Sequence, residues 1–283
     1  MKRSFRATLI DAINNHAEDY PNMVVLNADS ARALKLTEFS AEYPDRMFGV
    51  GISEADLVST AAGMATTGLI PIVVGFSMFV SEKPFEQIRQ AIAYPNLNVK
   101  IVATHAGLCV GQDGATHQAL EDIAVMRTLP NFKVFVASDV TETKAAVTAM
   151  LEHDGPAYLR LGRDLAEDIF EGSKTFVPGG ADVLTEGDDV TIAACGLMVE
   201  QALLAASALK KDGINATVIN TYSVKPLPEE LLVAQAKKTG AFVTAEDHSI
   251  IGGLGGAVCE YLSQTHPVPV IRIGVPDHFG ESG

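Results

Sequence analysis

Short runs of apolar, mostly β-branched residues alternate with longer amphipathic or alanine-rich stretches along nearly the whole chain. In the first part the runs fall at residues 23–27, 70–76, 99–104, 133–137 and 157–161, and the helix-like stretches at 54–67, 84–93, 117–129 and 141–153. Runs this uniformly apolar suit strands buried on both faces. Their alternation with helical segments predicts a mainly parallel sheet covered by helices on both sides.

The rhythm breaks between Arg163 and Asp189. The sequence EGSKTFVPGGAD in this region is polar and rich in Gly and Pro, so it reads as a linker. A second alternation follows, with strands expected at 190–194, 216–220, 241–245 and 268–273 and helices at 199–211, 228–238 and 253–263. The fold class is therefore α/β, with two domains, each a mainly parallel sheet flanked by helices. The expected boundaries are 1–165 for the first domain, 166–188 for the linker and 189–283 for the second. The turn-like GESG at 280–283 directly after a strand is an abrupt end for a domain and suggests truncation. No internal repeat or low-complexity tract is present.

Composition narrows the class. Of the 283 residues 47% are hydrophobic, yet no apolar run is long enough to span a bilayer, so a globular chain without a membrane partner is expected. The opening MKRSFRATLIDA has basic residues but no apolar stretch behind them, unlike a secretory signal. Cys109, Cys195 and Cys259 are far apart and lack CxxC spacing. That argues against a disulfide framework or zinc site, predicts no metal ligand set in this chain, and fits a cytoplasmic location. A net charge of -14 and the absence of Trp argue against nucleic acid. They leave room for a small phosphorylated ligand, because a local group of Arg and His can outweigh the global charge.

Ligands of open parallel sheets sit beyond the carboxyl ends of the strands. Four segments fall there. In GVGISEADLVSTAAGMA (49–65) a short strand gives way to a helix near Ser53, with Ser-x-x-Asp capping character and Glu54 in its first turn. An acid at that place also simply complements the helix dipole. In VGFSMFVSEKPFEQIR (74–89), Phe76 and Phe79 follow a strand; they suit core packing or a slot for a flat ring. In IVATHAGLCVGQDGATHQALEDIA (101–124), a strand ends at His105 and a loop with three glycines carries Asp113 to a helix opening near His117. Core packing does not explain three titratable groups around flexible glycines. Neutral His and carboxylate supply the donors and acceptors that sugar hydroxyls need. In GPAYLRLGRD (155–164), Arg163 lies just past a strand end and matches phosphate geometry, with Arg160 an equal candidate. GGLGG (252–256) reads as a tight turn into a helix, and His248 as a packing or hinge residue.

At these four segments the sequence resembles transketolases, in particular the C-terminal half of split transketolases, whose two halves are separate chains. The resemblance covers essentially the whole chain and is most specific in GISEADLVSTAAGMA, PNLNVKIVATHAGLCVGQDGATHQALEDIAVMRTLPN and DGPAYLRLGR. It implies a pyrimidine-binding domain of thiamine diphosphate enzymes followed by a transketolase C-terminal domain. Glu54 then matches the acid that hydrogen-bonds the cofactor's aminopyrimidine and promotes ionisation of the thiazolium. Phe79 matches the ring stacked on the aminopyrimidine, with Phe76 beside it, and Asp29 matches an acid near the thiazolium. His105, Asp113 and His117 match residues that hold the sugar hydroxyls and assist proton transfer, and Arg163 matches an arginine for the terminal phosphate. Two positions depart from the pattern: Ala33 stands where many relatives have a phosphate-binding Ser, and Glu82 where they have an aromatic residue.

Family members hold the diphosphate and Mg²⁺ with a GDG motif followed by Asn. The chain has no such pair; Gly187-Asp188 is followed by Asp189. The resemblance thus implies an N-terminal partner subunit that binds most of the diphosphate and Mg²⁺. It also implies self-dimerisation within a heterotetramer and two-carbon ketol transfer between sugar phosphates. The alternatives are the β subunit of a 2-oxo-acid dehydrogenase E1, which has the same domain order, and a non-catalytic interaction subunit that kept the fold.

Overall fold

The computed structural model describes residues 3–163 and 165–282. The strands are β1 (Arg3–Ser4), β2 (Met23–Asn27), β3 (Met47–Gly49), β4 (Ile70–Phe76), β5 (Lys100–Ala106), β6 (Lys133–Val136), β7 (Ala157–Gly162), β8 (Leu165–Ala166), β9 (Asp182–Thr185), β10 (Val190–Ala194), β11 (Ala216–Asn220), β12 (Ser223–Lys225), β13 (Phe242–Ser249) and β14 (Val270–Val275). The main sheet has the order β12-β6-β7-β5-β4-β2-β3 and is parallel except for β12. The second has the order β14-β13-β10-β11-β9 and is parallel except for β9. Both α/β units expected from the alternation are present. β9 lies within the stretch read as linker, and β12, from the second unit's sequence, closes the edge of the first unit's sheet.

Period-2 alternation sorts the central strands between two cores. On β2, Met23 and Val25 pack into one cluster with Phe5, Leu9, Ile13, Ile72 and Leu159. Val24 and Leu26 face the opposite cluster with Leu57, Val58, Val73 and Ile101. That second cluster runs on into the second unit, through Ala193, Cys195, Phe242, Leu254, Val258 and Leu262. Each fully buried aliphatic side chain contributes about 1.5–3 kcal/mol, so this shared core fastens the units together.

Three local expectations are corrected. The helix Glu54–Ala65 starts where expected, but Ser53 makes no side-chain capping bond. The stretch 84–93 is a short helix, Phe85–Gln87, followed by a wider π-type segment, Ile88–Ala93. No helix opens at His117: Gly111–Thr116 is a 3₁₀ segment and the helix is Asp122–Arg127. The cause is a bridge between Ala106 and Ala119, with the Gly107 N–H donating to the Ala119 carbonyl at 3.0 Å; it pairs residue 119 with the end of β5 and so keeps it out of a helix. Among the described residues no helix is long and apolar enough to cross a membrane.

Candidate active site

Because β3, β2, β4, β5 and β7 are neighbours and parallel, their carboxyl ends form one continuous rim. In that order they deliver Glu54, Asp29, Phe76, His105 and Arg163. Asp29 stands two residues past the end of β2 at φ +57, a conformation that Asp tolerates better than most residues. Glu54 opens its helix and is 5% exposed. Phe76 ends β4 and Phe79 lies in the following turn, Met78–Glu82.

Asp29, Glu54, Phe76 and Phe79 share one pocket. Ala28, Asp29, Ser30, Ile52, Glu54, Gly75, Phe76, Phe79 and Val80 line a cavity of about 190 Å³. Its walls are mostly apolar, and the buried Glu54 carboxylate is its charged inner group. Lys83 Nζ donates to Glu54 Oε2 at 2.5 Å, from a side chain that is itself half exposed. Sequence reading did not single out Lys83.

The pocket continues into the polar loop through ring contacts. The Phe76 and His105 rings are 4.1 Å apart between centroids, and Phe79 meets His117 edge-on at 5.1 Å. His105 is buried at φ +59, where the β5–β7 register shifts between Ala103 and Ala106; this bulge re-aims its side chain off the strand. Its Nδ1 is 2.8 Å from Thr104 Oγ1. Burial, with Arg6 and Arg163 nearby, lowers its pKa to about 4 despite the opposing influence of Asp113. The imidazole is therefore neutral at physiological pH. Asp113 is exposed on the loop, and half-buried His117 has Nδ1 2.9 Å from Thr116 Oγ1.

The structure separates the two arginines. Arg160 is buried, and its Nε donates to Asp122 Oδ2 at 2.8 Å, while Asp122 also accepts from Ser77 and Tyr158. Burial alone would raise the Asp122 pKa, but the guanidinium overrides it and holds the carboxyl below its usual range. Arg160 thus belongs to a buried network beneath the rim. Arg163 is half-buried at the surface of the loop, with Nη1 donating to the Val110 carbonyl at 2.6 Å.

Arg6 was missed by sequence reading. It lies in the first turn of the helix Phe5–His16, its Nη1 donates to the Ala33 carbonyl at 3.0 Å, and its Nε is buried without a partner. Its charge acts on His105 together with that of Arg163. The available signal was a basic residue opening an amphipathic stretch, but that helix was itself not recognised. His248 is fully buried, accepting from the Ala124 N–H at 3.3 Å, in keeping with a packing residue.

Residues 1–168 match the family model for the transketolase pyrimidine-binding domain, and residues 179–283 that for the transketolase C-terminal domain. The chain is 44% identical, over 287 residues, to a Methanocaldococcus jannaschii protein described as a transketolase C-terminal section, spanning 100% of this chain and 88% of that protein. It is 42% identical, over 278 residues, to the 6-deoxy-6-sulfo-D-fructose transketolase subunit SqwH of a Clostridium species, spanning 98% and 86%. A solved structure titled as a split-gene transketolase, inactive beta4 tetramer, superposes with a TM-score of 0.92 at 46% identity, covering 98% of this chain and 91% of that one. Fold and matches together define the class as that of thiamine diphosphate-dependent enzymes. Within it, the chain belongs to the transketolase family.

Proposed function

We propose that the chain is the C-terminal subunit of a transketolase that moves a two-carbon ketol unit between sugar phosphates. It acts only with a partner subunit that binds the diphosphate and Mg²⁺. The observation that carries this reading is the single pocket of Asp29, Glu54, Phe76 and Phe79, joined by ring contacts to His105 and His117.

The pocket suits the aminopyrimidine of thiamine diphosphate: a flat ring with apolar faces and one edge able to hydrogen-bond a carboxyl group. Phe79 and Phe76 would hold the ring and Glu54 its polar edge, with Asp29 at the pocket mouth. Bound thiamine diphosphate supplies the carbanion chemistry that amino-acid side chains lack. Lys83 engages only Oε2 of Glu54, which leaves Oε1 for that edge. Neutral His105 would accept or share a proton with a substrate hydroxyl, and Asp113 and His117 would hold neighbouring hydroxyls. Arg163, with Arg6, would receive the terminal anion. Guanidinium groups bind phosphate, and the sulfonate named for one relative presents a similar trigonal face of oxygens.

The chain carries no GDG-and-Asn pair, so the diphosphate and its Mg²⁺ fall to the N-terminal partner, with two copies of each chain in a closed assembly. The test is co-expression with a GDG-bearing partner, added thiamine diphosphate and Mg²⁺, and assay of a panel of ketose and aldose phosphates together with a 6-sulfo ketose. Ketol transfer with at least one donor is expected, and Glu54→Ala should lower it by more than roughly 100-fold while the assembly stays intact. Absence of transfer with every donor defeats the assignment; activity surviving Glu54→Ala defeats the role of Glu54.

A further inference from the structure

Between His105 and Ala119 the chain forms a loop that holds Asp113 and His117. Gly107, Gly111 and Gly114 all have positive φ in it. Such a loop has no core of its own, and glycines give it many alternatives to a single conformation. Its shape must be fixed from outside.

From the first unit, Arg163 donates to the Val110 carbonyl and Phe79 packs on His117. The second unit adds contacts near the start and the middle of the loop. At the start, Asp247 on β13 accepts the Leu108 N–H through Oδ1 at 3.1 Å. The approach is close enough that a Cβ on Gly107 would lie 1.8 Å from Asp247 Oδ2. Near the middle, residues 280–282 cross the loop. Ser282 Oγ donates to the Gln112 carbonyl at 2.8 Å, and a Cβ on Gly114 would lie 3.3 Å from Ser282 Cβ. Gln118, which is 5% exposed, ties the two ends together. Its Nε2 donates to the Leu108 carbonyl and to the Glu281 carbonyl, each at 3.0 Å. Gly280 lies so near that a Cβ there would meet Gln118 Oε1 at 2.2 Å.

We infer that the second unit positions the histidine loop, with Asp247 and Gln118 as positioning residues for the substrate groups Asp113 and His117. Neither touches the proposed cofactor pocket. The backbone carbonyl of Asp247 separately accepts from Arg160 at 2.7 Å, so a side-chain substitution spares that contact. The kinetic part of this inference rests on the proposed ketol transfer, whereas the loop's order does not.

The experiment uses the assembly with the partner subunit and compares Asp247→Ala, Asp247→Asn and Gln118→Ala. Hydrogen exchange is followed for the peptide spanning 107–118, beside steady-state kinetics for a ketose phosphate. Asp247→Ala and Gln118→Ala should each speed exchange in that peptide by roughly tenfold, the scale of one lost hydrogen bond. KM should rise by a similar factor with kcat within about twofold. Asp247→Asn, whose amide oxygen still accepts the Leu108 N–H, should restore both. Exchange unchanged in both alanine variants overturns the inference, as does failure of the asparagine to restore it. Should the wild-type assembly show no ketol transfer, the proposed function falls while the exchange result still decides the positioning. If Asp247→Ala does not fold, Gln118→Ala decides alone.

Discussion

His105 stays neutral because burial disfavours its charged form and two arginines repel an added proton. Glu82 shows the opposite use of burial. Desolvation, then the charges of Glu121 and Asp122, raise its pKa to about 7, and its Oε1 is buried without a partner. A carboxyl whose folded pKa exceeds its unfolded value, here 4.5, favours the fold fully below pH 4.5. That contribution is lost as pH rises through about 7. Glu82→Gln cannot ionise, so the Tm of the variant relative to wild type should climb between pH 5 and pH 8; a constant difference would contradict this. The sequence flagged Glu82 only as a replaced aromatic residue, because burial and the neighbouring acids arise from packing that no local pattern encodes. Strand ends placed Glu54, Phe76 and Phe79 on one rim, whereas Asp29 was singled out only by the family resemblance. Arg6 was not legible, since its approach to His105 depends on how a distant helix docks.

The turn after β4 shapes the pocket. A Cβ on Gly75 would lie 2.2 Å from Val80 Cγ1, so Gly75 is what lets the Met78–Glu82 segment fold back and bring Phe79 over the cavity. Gly75→Ala should destabilise the chain by about 1–3 kcal/mol, as overpacking does, and Gly75→Ala with Val80→Ala should recover most of the loss. Thermal or urea unfolding of wild type and the two variants measures this, and equal loss in the single Gly75 variant and the double variant would contradict it. Strands were the most readable elements: β2, β4, β10 and β11 begin and end where the apolar runs do, since each is almost wholly buried. Elements that depend on partners were not readable. β12 is three residues whose place is set by pairing with β6, and the expected helix at His117 yielded to the bridge between Ala106 and Ala119.

Across the whole molecule, one core runs from the main sheet into the second unit, and β12 completes the first unit's sheet with residues from beyond β11. The sheet is thereby extended on the edge away from the pocket, and the pocket is lined at its outer side by Ile52, which is 76% exposed. In the proposed reading an acid and two phenylalanines hold one end of the cofactor, and the sequence carries no GDG-and-Asn pair for its diphosphate. This division predicts that affinity for the cofactor belongs to the pair of subunits. The most direct measurement is calorimetric titration of thiamine diphosphate with Mg²⁺ into the chain alone, the GDG-bearing partner alone, and their mixture. Saturable binding that is tightest in the mixture, and weakened there by Glu54→Ala, is the predicted result. Equal affinity for the partner alone and for the mixture, or full binding by this chain alone, would contradict it.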